Sequence, residues 1–449
     1  MFIQKYDVIV VGAGISGLLS ALALSKKRKK VLVLEKSNVI GGNCRSYNVS
    51  GFRVDTGPHA ITWLKKGPLV DLMDEYFDIV PKFKEHGNYF VRDSERLIKF
   101  PYTLQALARF NVFSKTDRLL MARALVDATK THTLDEPLLD RSVTDFLKNY
   151  PISKRGLMFI DTLSYFLSGS SMDDTPMWRI LSGGGATHEL SKGLRKKLSG
   201  VMGVVANRHE SHQGYPQGGI QSITNSVLAS MPETTVIKTE QDVKKIKKSG
   251  NLFTITTDDN TYESGIVVFA AELRCLENIL ENPLPKKYLE KIATLKKSSR
   301  TMTLWLGLKR KRPEFDYRGS EVWFDEETPY WAMPTSNYDK NLAPKGMQLI
   351  GFGSRILPSE SPEKHKEKLL RTIKKVAWRI EKDIVMEHVQ VTYPDKASIT
   401  VGATFPGPKT PIDGLYAVGT DVDSRSMGIT RAAYSVVEML KEMGKNNIL

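Results

Sequence analysis

Six residues constrain this chain more than any others: Gly12-Ala13-Gly14-Ile15-Ser16-Gly17. They follow at once on Asp7–Val11, a β-branched run that reads as a strand buried on both faces of a parallel sheet. They lead into Leu18–Leu24, which reads as a helix. Gly12 permits the tight turn, Gly14 lets the backbone approach a pyrophosphate, and Gly17 lets helix and strand pack closely. Ser16 stands in the first helical turn, where phosphates meet the positive end of the helix. A second apolar strand, Val31–Leu34, ends in Glu35-Lys36, and an acid about 20 residues beyond the glycines is placed to hold a ribose hydroxyl. Isolated, the glycine pattern is a weak signal. Set between strand, helix and acid-tipped strand, it predicts a bound dinucleotide.

The rest of the composition narrows the setting. A chain of 449 residues has enough length for two or three domains with cores of their own. Cys44 and Cys275 stand far apart without a Cys-x-x-Cys spacing, which excludes a disulfide framework and predicts no metal site; it suits a reducing, cytoplasmic setting. The apolar stretch Tyr6–Leu24 contains Asp7 and the glycine run, and its basic residues follow it rather than precede it, so it reads neither as a secretion signal nor as a span. Net charge is +15, which favours anionic partners. No zinc finger, RNA-recognition motif or long basic arm accompanies that charge, and nucleic acid is not an expected partner. Lys26–Lys30 reads as a solvated helix end that complements the dipole.

Beyond Glu35 the sequence resembles a known family. Gly41-Gly42-Asn43-Cys44-Arg45 resembles the extended FAD signature of the amine oxidase and phytoene desaturase superfamily, in which Gly-Gly and an arginine continue the dinucleotide motif. Gly51–His59 resembles the segment that runs toward the isoalloxazine, and Tyr215-Pro216-Gln217-Gly218-Gly219 resembles the Pro-x-Gly-Gly turn before a helix. Gly414–Asp421 and Met427–Ala433 resemble the closing FAD motif, a strand ending near the ribityl and phosphate groups followed by a helix start aimed at the flavin. The resemblance implies FAD, held by Gly12, Gly14, Ser16, Gly17, Glu35, Lys36, Gly42, Asn43, Arg45, Gly419, Asp421, Gly428 and Ile429, with Val243 meeting the adenine through its backbone. Two departures stand out. Asn43 occupies the place where most relatives carry arginine, and Gly-Thr-Asp replaces Gly-Asp at the end. Both keep hydrogen-bonding groups able to reach phosphate or ribityl oxygens.

The resemblance implies an α/β fold: a Rossmann-like FAD-binding domain from residues 1–64, 208–276 and 401–449, with a discontinuous α+β substrate domain from 65–207 and 277–400. Within the second lobe, Ser114 and Ser142 read as helix caps, Met302–Leu308 and Gln348–Phe352 as strands, and Glu363–Lys382 as a long helix. Asp339-Lys340-Asn341-Leu342-Ala343-Pro344-Lys345-Gly346 resembles a turn of the phytoene desaturase-like group, which includes carotenoid desaturases, carotenoid isomerases and retinol saturases. This implies a flavin-led reaction on C–C double bonds of an apolar isoprenoid, with no obligatory side-chain nucleophile. His59 is the candidate catalytic neighbour of the ring, or simply a hydrogen-bonded one. Tyr165-Phe166 and Tyr330-Trp331 line an apolar tunnel or fill the core. Leu104–Phe113 either dips into a membrane surface or faces the core, a peripheral contact that an isoprenoid substrate would call for. The rival readings are a protoporphyrinogen- or amine-oxidising flavoenzyme, a non-redox flavin-dependent mutase, and a non-enzymatic flavin-binding protein. Oligomeric state is not legible.

Overall fold

The computed structural model describes residues 4–101, 103–134, 140–182, 213–324, 328–446 and 448. Its first sheet grows from the opening motif. Strand β1 (Gln4–Val11) lies in parallel between β2 (Val31–Leu34) and the Thr261–Phe269 strand, and Thr235–Lys238 extends the sheet beyond β2. The two halves of Thr261–Phe269 have different neighbours: the first pairs antiparallel with Leu252–Thr256, the second parallel with Leu415–Ala417. The sheet therefore gathers strands from the start, middle and end of the chain.

Helices cover both faces of its parallel centre, which is why β1 and β2 are apolar without alternation. On one face Val8, Val10, Val31 and Val33 pack with α1 (Ile15–Lys26), with the Pro68–Tyr76 and Gln221–Ala229 helices, and with the final helix Gly428–Lys445. On the other, Ile9, Val11, Leu32 and Leu34 meet Phe253, Tyr262, Tyr288 and Ile292. Packing thus carries the first unit beyond Lys65, since Leu69, Leu72, Met73 and Tyr76 belong to its core. It also carries it beyond residue 276, through Tyr288 and Ile292 of the Lys286–Thr294 helix. The expected boundary at 207/208 lies outside the described residues.

A second sheet runs in the order Ile384–Thr392, Thr301–Leu308, Gln348–Arg355, Tyr330–Met333, Gly319–Trp323, Asn88–Asp93, Arg96–Lys99. It is antiparallel except where Gly319–Trp323 runs parallel to Asn88–Asp93. Met302, Leu304, Leu306 and Leu308 turn one face toward the Pro362–Val376 helix. The opposite face carries Trp305, Met333 and Leu349 and packs on Phe52, Val54 and Tyr215 from the first unit. A separate helical cluster closes around Phe113, Phe159 and Phe324, whose ring centroids lie 5.0–5.6 Å apart.

The structure corrects one local expectation and decides between two pairs of alternatives. The helix expected over Glu363–Lys382 ends at Val376, because Arg379 takes a left-handed conformation (φ +56°) and the Arg312 guanidinium captures the Trp378 carbonyl at 2.8 Å. The Leu104–Phe113 segment is core-facing: its helix spans only Leu104–Ala108, and Leu107, Phe110, Val112 and Phe113 are buried. Tyr330 is core, whereas Trp331 on the opposite face is half-buried. The serine caps form as expected, Ser114 Oγ accepting from Asp117 N and Ser142 Oγ from Asp145 N. Among the described residues no helix is long and apolar enough to cross a membrane.

Candidate functional site

The site begins where β1 hands over to α1. Gly12 sits at φ +103° against the Ala270 and Ala271 backbone, a conformation that disfavours any side chain. A methyl group on Gly17 would stand 2.0 Å from the Gly12 carbonyl oxygen, so helix and turn touch only because Gly17 has none. Gly14 is different: a Cβ there would meet nothing within 4 Å, so space opens above the turn. The α1 N-terminus has no side-chain cap and no acid in its first turn. Its leading amides and the positive end of its dipole are left for an anion. Ser16 is buried in that first turn.

Around this turn the other segments converge. The Gly41-Gly42 loop laps over it, Gly41 N donating to Ala13 O at 2.7 Å and Gly42 lying against the Gly14 Cα. Glu35 is fixed at the tip of β2, its carboxylate accepting from Ala13 N at 2.8 Å and Ser37 N at 2.9 Å. A carboxylate has about four lone-pair sites, so two such bonds leave capacity for ribose hydroxyls. Lys36 is exposed beside it. Arg45 Nε is buried with no hydrogen-bond partner among the described residues, as is Thr56 Oγ1. Buried polar atoms are nearly always paired. An uncapped helix start, open space over Gly14, a pre-set acid and orphaned donors together fit a dinucleotide such as FAD.

The remaining expected residues divide into two sets. Gly419 lies at the end of the Leu415–Ala417 strand, its N–H donating to Ser435 Oγ at 2.9 Å, against Lys396 and Asp421. Gly428 and Ile429 open the last helix. Asn43, by contrast, spends its amide on the Tyr393 carbonyl at 2.9 Å, which fastens the glycine loop to the second unit. Val243 is a buried core residue just before the Lys245–Ser249 strand. Asp421 is 3% exposed; its Oδ2 accepts from Leu273 N at 2.6 Å, while Oδ1 has no hydrogen-bond partner among the described residues. Burial pushes its carboxyl above the usual carboxylate range, against the pull of Lys396.

Sequence reasoning missed Asp395 and Lys396. Lys396 Nζ donates to the Ala270 and Ala271 carbonyls at 2.7 Å each and lies 3.9 Å from Asp421 Oδ1. Asp395 Oδ1 accepts from Gly428 N at 3.1 Å, and Oδ2 lies 3.5 Å from the fully buried Arg431, which donates to the Ala397 and Thr420 carbonyls. These two residues strap the chain returning from the second sheet onto the closing motif. Their only signal was an Asp-Lys pair in an otherwise plain loop.

Beside the dinucleotide cradle, Thr56–His59 runs under the second sheet. Gly57 N donates to Gln390 Oε1 at 3.1 Å, and Pro58 touches Gly351. His59 is half-buried with Nδ1 unpartnered among the described residues, its ring against Gly57. On the sheet face above, Gly351 lies under the Trp305 ring and Pro58, while Trp331, paired with Gly353, begins an aromatic row with Phe166 and Tyr165, ring centroids 6.5 and 5.4 Å apart. The Asp339–Gly346 turn is spent on the contact between the two units. Asp339 Oδ2 accepts from Gly218 N at 2.8 Å, and Leu342 and Ala343 are buried beside Phe52, so the turn locks the second unit onto the first.

A Rossmann-type nucleotide unit roofed by a mixed sheet is the architecture of an FAD-dependent oxidoreductase. The chain belongs to the flavin containing amine oxidoreductase family, whose model matches residues 15–415. It is similar to 1-hydroxycarotenoid 3,4-desaturase of Flavobacterium sp. (strain P99-3), 27% identical over 79% of this chain and 74% of that protein. Prolycopene isomerase of Daucus carota is 23% identical over 97% of this chain and 79% of its own length. All-trans-retinol 13,14-reductase of Rattus norvegicus is 44% identical over 64 residues, 14% of this chain and 10% of that protein. The fold matches an oxidoreductase from Methanosarcina mazei (TM-score 0.76, 20% identity, 98% of this chain and 100% of that one) and a putrescine oxidase (TM-score 0.72, 15% identity, both chains in full).

Proposed function

We propose that this FAD-dependent oxidoreductase desaturates, saturates or isomerises C–C double bonds of an apolar, isoprenoid-like substrate. The observation that carries the reading is the aromatic row of Trp331, Phe166 and Tyr165 on the sheet face that Thr56–His59 runs beneath, with Trp331 beside the side-chain-free Gly353. A hydrocarbon gains about 0.8 kcal/mol for each CH₂ it withdraws from water, so such a surface suffices to bind and align a polyene without charged anchors. FAD, when bound, supplies the two-electron chemistry. The chain's own residues position and dry the site: α1 and the glycine loops receive the anionic end, Glu35 the ribose, and the sheet face excludes water. His59 is half-buried against Gly57, and its Nδ1, unpartnered among the described residues, is available to hydrogen-bond a group held beside it. The similarity to a carotenoid desaturase and a prolycopene isomerase supports the same substrate class.

The test uses the yellow holoprotein under anaerobic conditions with polyenes carried in detergent micelles. Bleaching of the flavin absorbance, or a polyene product with a moved or altered double bond, is the expected result. Bleaching by amines or porphyrinogens with none by polyenes would overturn the assignment in favour of the oxidase readings.

A further inference from the structure

We propose that the Lys309–Arg312 turn and the Trp378–Lys382 turn together form a docking surface for an anionic lipid bilayer. Trp378 is 73% exposed, the most exposed large apolar side chain among the described residues, and Val385 beside its loop is half exposed. The Trp378 ring is not seated in any groove. It projects from the rim of the second sheet with the Arg379 guanidinium 5.3 Å from its centroid. An aromatic with an apolar body and a polar N–H is at home in the headgroup layer, where neither bulk water nor protein packing satisfies both parts.

The surroundings supply charge. The buried Asp383 gathers Lys309, Arg310 and Arg312 at 3.6, 3.0 and 3.0 Å, one carboxylate for three cations. The outer two stay half to two-thirds exposed. Lys311, Lys374, Arg379 and Lys382 are exposed on the same rim, and the acids of these turns besides Asp383 are Glu314 and Glu381. Glu314 is already paired with Arg312 at 2.7 Å. Arg312 also holds the Trp378 carbonyl, so tryptophan and cations sit on one braced platform rather than on independent loops. A protruding ring ringed by cations complements a flat, negatively charged surface that the ring can enter. In Leu104–Phe113, the segment whose pattern first suggested membrane contact, Leu107, Phe110, Val112 and Phe113 are turned into the core. The inference does not depend on the substrate reading.

The test is co-sedimentation of the full-length holoprotein with phosphatidylcholine vesicles, with and without phosphatidylglycerol. Binding is expected only to the anionic vesicles and is expected to weaken as salt is raised. With each basic residue near the surface contributing about fivefold, the triple variant Lys311→Gln, Arg379→Gln, Lys382→Gln should bind roughly a hundredfold more weakly. Trp378→Ala should weaken binding to the same vesicles, while retained flavin colour shows that the exposed substitutions leave the fold intact. Equal binding by wild type and variants overturns the proposal, as does equal binding to neutral vesicles. Retention on soluble polyglutamate as strong as on anionic vesicles, and equally lost in the Trp378→Ala variant, overturns it in favour of an acidic polypeptide.

Discussion

Replacing Lys396 with methionine tests how the second unit fastens the cofactor cradle. Methionine keeps much of the apolar stem, so the change removes mainly the ammonium. Two charge-assisted hydrogen bonds to the Ala270 and Ala271 carbonyls disappear, and the buried Asp421 loses its nearby cation. Each charge-assisted bond contributes about 1.5–3 kcal/mol net, and stranding a fully buried charge costs about 3–5 kcal/mol. Lys396 is 28% exposed and 3.9 Å from the carboxylate, so water recovers part of both terms. A loss of about 3 kcal/mol follows. Urea unfolding of the apoprotein at neutral pH measures it, with the m-value unchanged if only stability moves. Asp421→Asn in the Lys396→Met background should recover about 1 kcal/mol or more, because a neutral amide does not need the cation. A single-variant loss under about 0.5 kcal/mol, or strict additivity of the two substitutions, refutes the strap.

Other consequences are open to measurement. Gly17→Ala sets a methyl 2.0 Å from the Gly12 oxygen; it should yield protein that purifies colourless and is destabilised by at least about 1–3 kcal/mol in the same urea assay. Burial pushes the His86 imidazole from 6.5 down to about 4. The unfolded chain therefore binds the proton first, and stability falls as pH drops from 6.5 toward 4, by about 3 kcal/mol in total; a His86→Gln variant should flatten that slope. Glu321→Gln strands the buried Arg92, paired with Glu321 in the second sheet, and should cost about 3–5 kcal/mol by thermal or urea unfolding. Trp331→Ala should raise KM for a polyene while leaving the flavin spectrum of the holoprotein unchanged.

The sequence by itself determined the nucleotide half of this protein. Gly12, Gly14 and Gly17 between an unbroken apolar strand and a helix, with Glu35 at the next strand's tip, are local in the chain, and local spacing is what a one-dimensional reading resolves. The caps at Ser114 and Ser142 were legible for the same reason. Only the tertiary structure decided what depends on distant partners. Asn43 faces a carbonyl 350 residues away, Lys396 reaches across to Ala270, and a helix that its pattern would carry to Lys382 stops at Val376 because Arg312 takes hold of the next turn. Whether an amphipathic segment meets core or solvent depends on what covers it. That is why Leu104–Phe113 proved core-facing and Trp378, unremarked in the sequence, stands in the open: burial belongs to the assembled fold, and side-chain type only biases it.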